Sequence, residues 1–242
     1  MRNKKTERRQ KVGAVHVHSE KPIKTPKEGS DQGYKSQKLT AKTLGQKDYI
    51  RTILQHDVTL CTGPPGTGKT HIPCGLAAEA MRKGVVEKIV LSRPVGTIET
   101  SIGFLPGGIR EKLGPYLVPL FDELSNFVNY ELIKHWMDLG KLEIIPMSAM
   151  RGRTFKHSFV ILDEAQNATY KDLHTYLTRF GEGSRVVASG DPNQNDLPSN
   201  EQGGLGVIMD KLWDLEEVGI TTLKHSDVVR HPLTSEIDRR LT

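Results

Sequence analysis

The chain has 242 residues, a formal net charge of +5 and two cysteines. That length suits one domain, or one domain with a tail, and nothing about the two cysteines, Cys61 and Cys74, suggests a disulfide framework or a metal set, so a reducing cytoplasm is the expected compartment. No run is long and apolar enough to span a bilayer, which excludes a membrane helix and leaves no membrane partner expected.

The charge is unevenly placed. Eleven Lys/Arg against four Asp/Glu give residues 1–38 a charge of +7, so a whole-chain value of +5 leaves −2 for residues 39–242. The basic segment (Lys4, Lys5, Arg8, Arg9, Lys11, Lys21, Lys24, Lys27) has almost no aromatic or large aliphatic side chains. It cannot bury enough apolar surface to offset its chain entropy and reads as a disordered tail. It is either an arm that binds nucleic acid through phosphate contacts or an inert solubilising extension. No apolar core follows its basic residues, so it is not a signal peptide.

The folded body is expected from residue 39. Leu44, Tyr49, Ile50, Ile53 and Leu54 suit an amphipathic helix starting near Thr43. Val58–Cys61 reads as a buried strand. Next comes Gly63-Pro64-Pro65-Gly66-Thr67-Gly68-Lys69-Thr70, which fits G-x-x-x-x-G-K-[ST], the loop that cradles nucleotide phosphates. Its glycines let several backbone N–H groups converge on one anion. The following helix, with Ile72, Leu76, Ala77 and Ala80 on one face, adds the field of its N-terminus. Lys69 is placed to reach the β and γ phosphates and Thr70 to offer its hydroxyl to Mg²⁺; His71, the next residue, belongs to the same nucleotide-binding set. Pro73 is tolerated near the helix start, where N–H groups have no partner. Gln46 has two readings, contact with an adenine edge or an ordinary exposed glutamine.

Lys83-Gly84 closes that helix, and Lys88–Ser92 is the second strand, ending at Arg93-Pro94. Residues 95–120 are rich in Gly and Pro and read as an ordered insertion or long loop, of a length that is functional when ordered. A helix is expected from about Leu120 to Leu139, stopped by Gly140, then a strand over Leu142–Pro146. Met150-Arg151-Gly152-Arg153-Thr154 sets two guanidiniums around a glycine, a pattern suited to bidentate phosphate contact or to a solvated turn. With Arg93, Arg151 and Arg153 form the candidate nucleic-acid contacts.

Phe159–Leu162 is an apolar strand that delivers Asp163 and Glu164 to its C-terminal end, where α/β sheets place their ligands. Asp163 can hold Mg²⁺ together with Thr70, and Glu164 can polarise a water. A helix is expected over Thr169–Phe180 and a strand over Arg185–Ser189. The strand ends in Gly190-Asp191-Pro192-Asn193-Gln194, either a γ-phosphate sensor through Gln194 or Asn193 or a plain type I turn. A helix from Gly203-Gly204 through Leu215, a strand over Gly219–Leu223 and a short terminal helix complete the chain. Arg230, just before that helix, is the candidate that stabilises charge on a transferring phosphate, with a surface ion pair as its ordinary reading. Four or five apolar strands alternating with helices predict an α/β fold with a mostly parallel sheet covered on both faces.

Gly63–Thr70, Asp163-Glu164-Ala165-Gln166 and Gly190-Asp191-Pro192-x-Gln194 resemble motifs I, II and III of superfamily 1 helicases. Together with Ser92-Arg93-Pro94, Gly103–Gly107, Pro115-Tyr116-Leu117, Met150–Phe155, Phe159–Asn167 and Asp227–Pro232, they resemble the PhoH family of P-loop ATPases over roughly residues 40–242. The resemblance implies a RecA-like fold, ATP and Mg²⁺ as ligands, ATP hydrolysis, and work linked to single-stranded RNA or DNA. Lys69 and Thr70 would bind phosphate and Mg²⁺, Asp163 the metal, Glu164 the water, and Gln194 and Arg230 the γ-phosphate. Some family members carry a nuclease or RNA-binding domain, for which this length leaves no room, so nuclease activity is not expected. Helicases of this superfamily close their nucleotide between two lobes. The length of this body fits one, which predicts a homo-oligomer, a ring such as a hexamer, with nucleotide at subunit interfaces. The contrasting expectation is an ATP-gated switch or scaffold that turns over slowly and unwinds nothing.

Overall fold

The computed structural model describes residues 37–94, 109–198, 203–230 and 232–241. The basic segment up to residue 36, most of the Gly/Pro-rich stretch (95–108) and His231 lie outside the described residues. Six strands form one sheet: β1 (Val58–Thr62), β2 (Lys88–Arg93), β3 (Leu142–Pro146), β4 (Ser158–Leu162), β5 (Arg185–Gly190) and β6 (Val218–Thr222). Their order is β3-β2-β4-β5-β1-β6, and every neighbouring pair is parallel. Parallel neighbours need long crossovers, and here helices supply them: α1 (Leu44–Gln55) leads into β1, α2 (His71–Arg82), α3 (Ile109–Ser125), α4 (Tyr130–Asp138), α5 (Tyr170–Leu177) and α6 (Gly204–Leu212) lie between strands, and the terminal α7 (Pro232–Leu241) follows β6.

Both faces of the sheet are covered, which is why the strands read as continuous apolar runs. Successive side chains point to opposite faces. Cys61, Ile89, Leu91, Phe159, Ile161 and Val187 pack with Tyr49 and Ile53 of α1, Ile72 and Ala77 of α2, Leu120 and Leu124 of α3, and Ile133 and Trp136 of α4. Val58, Leu60, Val90, Val160, Leu162, Val186 and Ala188 face the other way, onto Leu173 and Tyr176 of α5 and Leu205 and Ile208 of α6. The buried hydroxyl of Tyr176 donates to the carbonyls of Val160 (3.2 Å) and Val187 (3.0 Å).

The structure corrects several sequence expectations. The single helix expected over 120–139 is two. α3 already runs from Ile109 through Pro115 and Pro119, and the chain breaks before Asn129, whose side chain accepts the Leu132 N–H at 2.7 Å and starts α4 afresh. Neither proline can donate a helical bond, so packing of Leu120 and Leu124, both fully buried, outweighs local propensity there. The sheet has six strands rather than four or five, and α6 ends at Leu212 rather than Leu215. Leu44 and Leu54 are exposed, so only Tyr49, Ile50 and Ile53 form the apolar face of α1.

Parallel pairing puts all the strand C-termini on one edge. Thr62 is in register with Gly190 and Thr222, and Ser92 with Leu162. The Asp163 N–H bonds the Ser92 carbonyl at 3.0 Å and the Gly63 N–H bonds the Gly190 carbonyl at 3.3 Å. The Gly63–Thr70 loop, Arg93, Asp163-Glu164 and Asp191–Gln194 therefore meet at the edge where such sheets hold ligands.

Candidate functional site

The loop between β1 and α2 is built for backbone rather than side-chain contacts. Gly66 has φ +79°, and a Cβ there would sit 2.3 Å from Arg230 Nε. Only glycine allows both that backbone conformation and the close approach of the arginine. Thr67, fully buried, donates its hydroxyl to Pro64 O at 2.8 Å, which tightens the loop. Lys69 lies along it, its ammonium donating to Gly63 O at 2.6 Å and Pro64 O at 2.9 Å. Burial draws the Lys69 pKa below its ordinary 10.5, opposed first by Asp191 and also by Glu164 and Asp163. An anionic ligand at the loop would further favour the charged form.

Gln46 is neither exposed nor aimed freely at a ligand. It is 6% exposed. Its Nε2 donates to Thr67 O at 3.0 Å and its Oε1 accepts the Lys42 N–H at 2.8 Å, so its amide braces the loop while lining the cavity. Its position is fixed by Thr43, whose hydroxyl oxygen accepts the Gln46 N–H at 3.1 Å and caps α1. Thr43 in turn donates to Asp227 at 2.6 Å, and Asp227 also accepts the Lys224 N–H at 2.9 Å. Two residues on, the Val229 N–H bonds Gly66 O at 2.9 Å. The segment after β6 is thus stitched to both α1 and the loop, which places Arg230 over Gly66 within the same chain.

The Thr70 hydroxyl donates to Asp163 Oδ1 at 2.7 Å, so the two expected metal ligands are brought together. Asp163 is 8% exposed. Burial, then the neighbouring Glu164 charge, push its pKa above the usual carboxylate value, against the Thr70 hydroxyl and Arg93. A buried carboxylate beside a like charge is the arrangement a cation relieves. Among the described residues no cluster of three or more His, Cys, Asp or Glu could hold a metal by itself. The donor set of one hydroxyl and one carboxylate fits Mg²⁺, which keeps waters and completes its shell with substrate phosphates.

Glu164 sits in the left-handed region, φ 52°. Its two oxygens are engaged separately: Oε1 accepts from Arg93 Nη2 at 2.8 Å and Oε2 from Gln166 Nε2 at 2.7 Å. Gln166, 3% exposed, also accepts the Asp191 N–H at 3.0 Å and donates to Gln194 O at 3.2 Å. It ties the end of β4 to the end of β5. Gln194, Arg230, Glu164, Lys69, Thr70 and His71 all line one cavity of about 410 Å³, with Pro65, Gly66, Gly68 and Gln46.

The other candidates fall elsewhere. Arg153 forms a two-oxygen ion pair with Glu143 (2.9 and 2.7 Å) and stacks over Phe155 at 4.8 Å. Arg151 pairs with Asp172 at 3.3 Å. Neither lines the cavity. Sequence reasoning passed over Gln166 and Asp227 as site residues; both are polar groups inside recognisable motifs, and only the fold shows what they hold. It also passed over Tyr49, read only as an apolar residue, and Glu123, on the helix whose start was misplaced. Cys61 and Cys74 are buried and form no disulfide.

Residues 38–241 match the family model described as PhoH-like protein. The chain belongs to the PhoH family. It is 44% identical over 199 residues to a PhoH-like protein of Synechocystis sp. and 40% identical over 203 residues to one of Bacillus subtilis, covering 82% and 84% of this chain. It spans 61% and 64% of those relatives' own lengths. Among solved structures, the large terminase of a thermophilic bacteriophage superimposes with a TM-score of 0.52 at 12% identity, over 83% of this chain and 50% of that one. At that identity the likeness speaks for the fold alone, the RecA-like P-loop architecture. In this PhoH-like chain the strand between β1 and β4 is β5, so the sheet itself sets the gap that separates Lys69 from Glu164.

Proposed function

We propose that this chain binds Mg²⁺–ATP at the β1–α2 loop and hydrolyses it, with turnover coupled to single-stranded RNA or DNA. The observation that carries the reading is the meeting of Lys69, the Thr70–Asp163 pair and Glu164 at one sheet edge. Loop amides and Lys69 hold the β and γ oxygens. Thr70 and Asp163 would hold Mg²⁺, which would supply neutralisation of phosphate charge. Glu164 orients a water whose oxygen bonds to the γ-phosphorus and whose proton the carboxylate receives. The bridging P–O bond breaks and ADP leaves with the electron pair. Arg230 and Gln194 meet the charge that develops on the transferring group.

Coupling to nucleic acid is supported by Arg93. This strand-end arginine, a candidate phosphate contact, is the residue that pairs with Glu164. A nucleic-acid phosphate that draws the guanidinium away releases Glu164 Oε1 for water. The same ion pair also supports the second reading, an ATP-gated switch with slow turnover, since it occupies the base at rest. Measuring ATP hydrolysis with and without single-stranded RNA and DNA separates them: strong stimulation supports coupling, and indifference supports the switch. Deleting residues 1–38 should weaken nucleic-acid binding and flatten its salt dependence if that segment is an arm; unchanged affinity would favour an inert extension. A second wall for the cavity is proposed to come from another copy of the chain, in a ring. A sedimentation coefficient that stays monomeric in the presence of nucleotide would rule that assembly out.

A further inference from the structure

We infer that Glu123, held by His71 and Asn126, recognises the ribose hydroxyls of the nucleotide and makes the site selective for ribonucleoside triphosphates. This inference rests on the ATP reading above and adds a residue that no sequence motif marks. The cavity's charged lining divides by sign. Lys42, Lys69 and Arg230 bring cations, and Asp163 and Glu164 serve the metal and water end. Glu123 is the remaining carboxylate among the described lining residues. An ionised carboxylate only accepts hydrogen bonds, so it repels phosphate and needs a donor. ATP offers donors in two places, the ribose diol and the adenine amine.

Geometry favours the diol. Glu123 bonds to His71, which directly follows Thr70, the residue expected beside the metal and phosphates. The moiety joined to the phosphates is the sugar, and the base lies beyond it. The carboxylate is also half organised. Glu123 Oε1 accepts from His71 and, at 3.3 Å, from Asn126 Nδ2. Among the described residues Oε2 receives no hydrogen bond, so one oxygen anchors the group and the other is left for a ligand. His71 is itself backed by Phe127, ring centroids 4.6 Å apart, and Phe127 is fixed in the core at 1% exposed. His71 and Phe127 are positioning residues, and Glu123 is the group that touches the sugar.

The test is calorimetric binding of ATP, 2′-deoxy-ATP and 3′-deoxy-ATP to the full chain and to its Glu123→Ala and Glu123→Gln variants, with circular dichroism confirming the fold of each. The wild-type chain should bind ATP about tenfold more tightly than either deoxy analogue, because a charge-assisted hydrogen bond is lost with each hydroxyl. Glu123→Ala should bind all three ligands alike, near the wild-type affinity for the deoxy forms, while Glu123→Gln, which keeps a neutral acceptor, should show a reduced preference. A wild-type chain that binds all three equally, or a Glu123→Ala variant that keeps the full preference, would overturn the role of Glu123 and leave the ATP reading intact. A wild-type chain that binds none of the three would overturn both.

Discussion

The Tyr49 hydroxyl donates to the backbone carbonyl of Lys69 at 3.1 Å, and the reason lies four residues downstream. In a regular helix that carbonyl would accept the N–H of residue 73, but residue 73 is proline and has none. The fully buried phenol from α1 takes the vacated place. It thereby fixes the backbone of the lysine expected to grip phosphate.

Tyr49→Phe removes only that donor and strands a part-buried carbonyl. It should destabilise the chain by about 1–3 kcal/mol in chemical denaturation. Pro73→Ala returns an N–H to the same carbonyl, so Tyr49→Phe should cost less in a Pro73→Ala background. A double-mutant cycle with no coupling between the two positions would contradict this arrangement.

Lys69 and Glu164 should separate by assay. Lys69→Ala is expected to weaken ATP binding at least tenfold by calorimetry. Glu164→Gln keeps the shape and loses the base; it should bind ATP within about twofold of wild type while hydrolysis falls at least about a hundredfold.

Arg93→Ala frees Glu164 Oε1 from its 2.8 Å partner. Basal hydrolysis should rise, and stimulation by single-stranded nucleic acid should shrink towards none. Arg93→Lys retains the charge and should keep part of the stimulation. Unaltered basal rate and stimulation in Arg93→Ala would remove the proposed link.

Asp227 offers a pH test. The Thr43 hydroxyl, then the Lys224 N–H, hold its carboxyl below the ordinary 3.8. A depressed acid adds stability that is fully present above the unfolded-state pKa and is lost as pH falls through the folded-state one. Denaturation midpoints of wild type and Asp227→Asn should therefore differ most at neutral pH and converge below about pH 4. A difference that stays constant down to acid pH would show that the carboxylate charge is not what holds α1.

The central part of the fold was readable from residues because several independent signals coincide. β1, β4 and β5 are buried on both faces and so read as uniform apolar runs, and the Gly63–Thr70 loop lies between a strand and a helix, as its pattern requires. What was not readable depends on contacts between distant segments. Pro115 and Pro119 argued against a helix that the packing of Leu120 and Leu124 nonetheless makes. Gln46 could be read as an adenine contact or an exposed polar residue, but not as a brace, because its partners, the Lys42 N–H and the Thr67 carbonyl, are backbone groups that carry no sequence mark. Arg93 and Glu164 are 71 positions apart. They meet only because β2 and β4 are neighbours in the sheet, a relationship that strand order decides and local pattern does not.

The stretch from Leu223 to Arg230 closes over the Gly63–Thr70 loop as a latch closes a hatch. It hooks the Thr62 carbonyl through the Leu223 N–H at 2.8 Å and the Gly66 carbonyl through Val229. Shortening the chain from its C-terminal side past Arg230 should therefore unpin the Gly63–Thr70 loop and disable any phosphate binding there. A version cut down to the proposed ATP site has to carry this distant stretch with it.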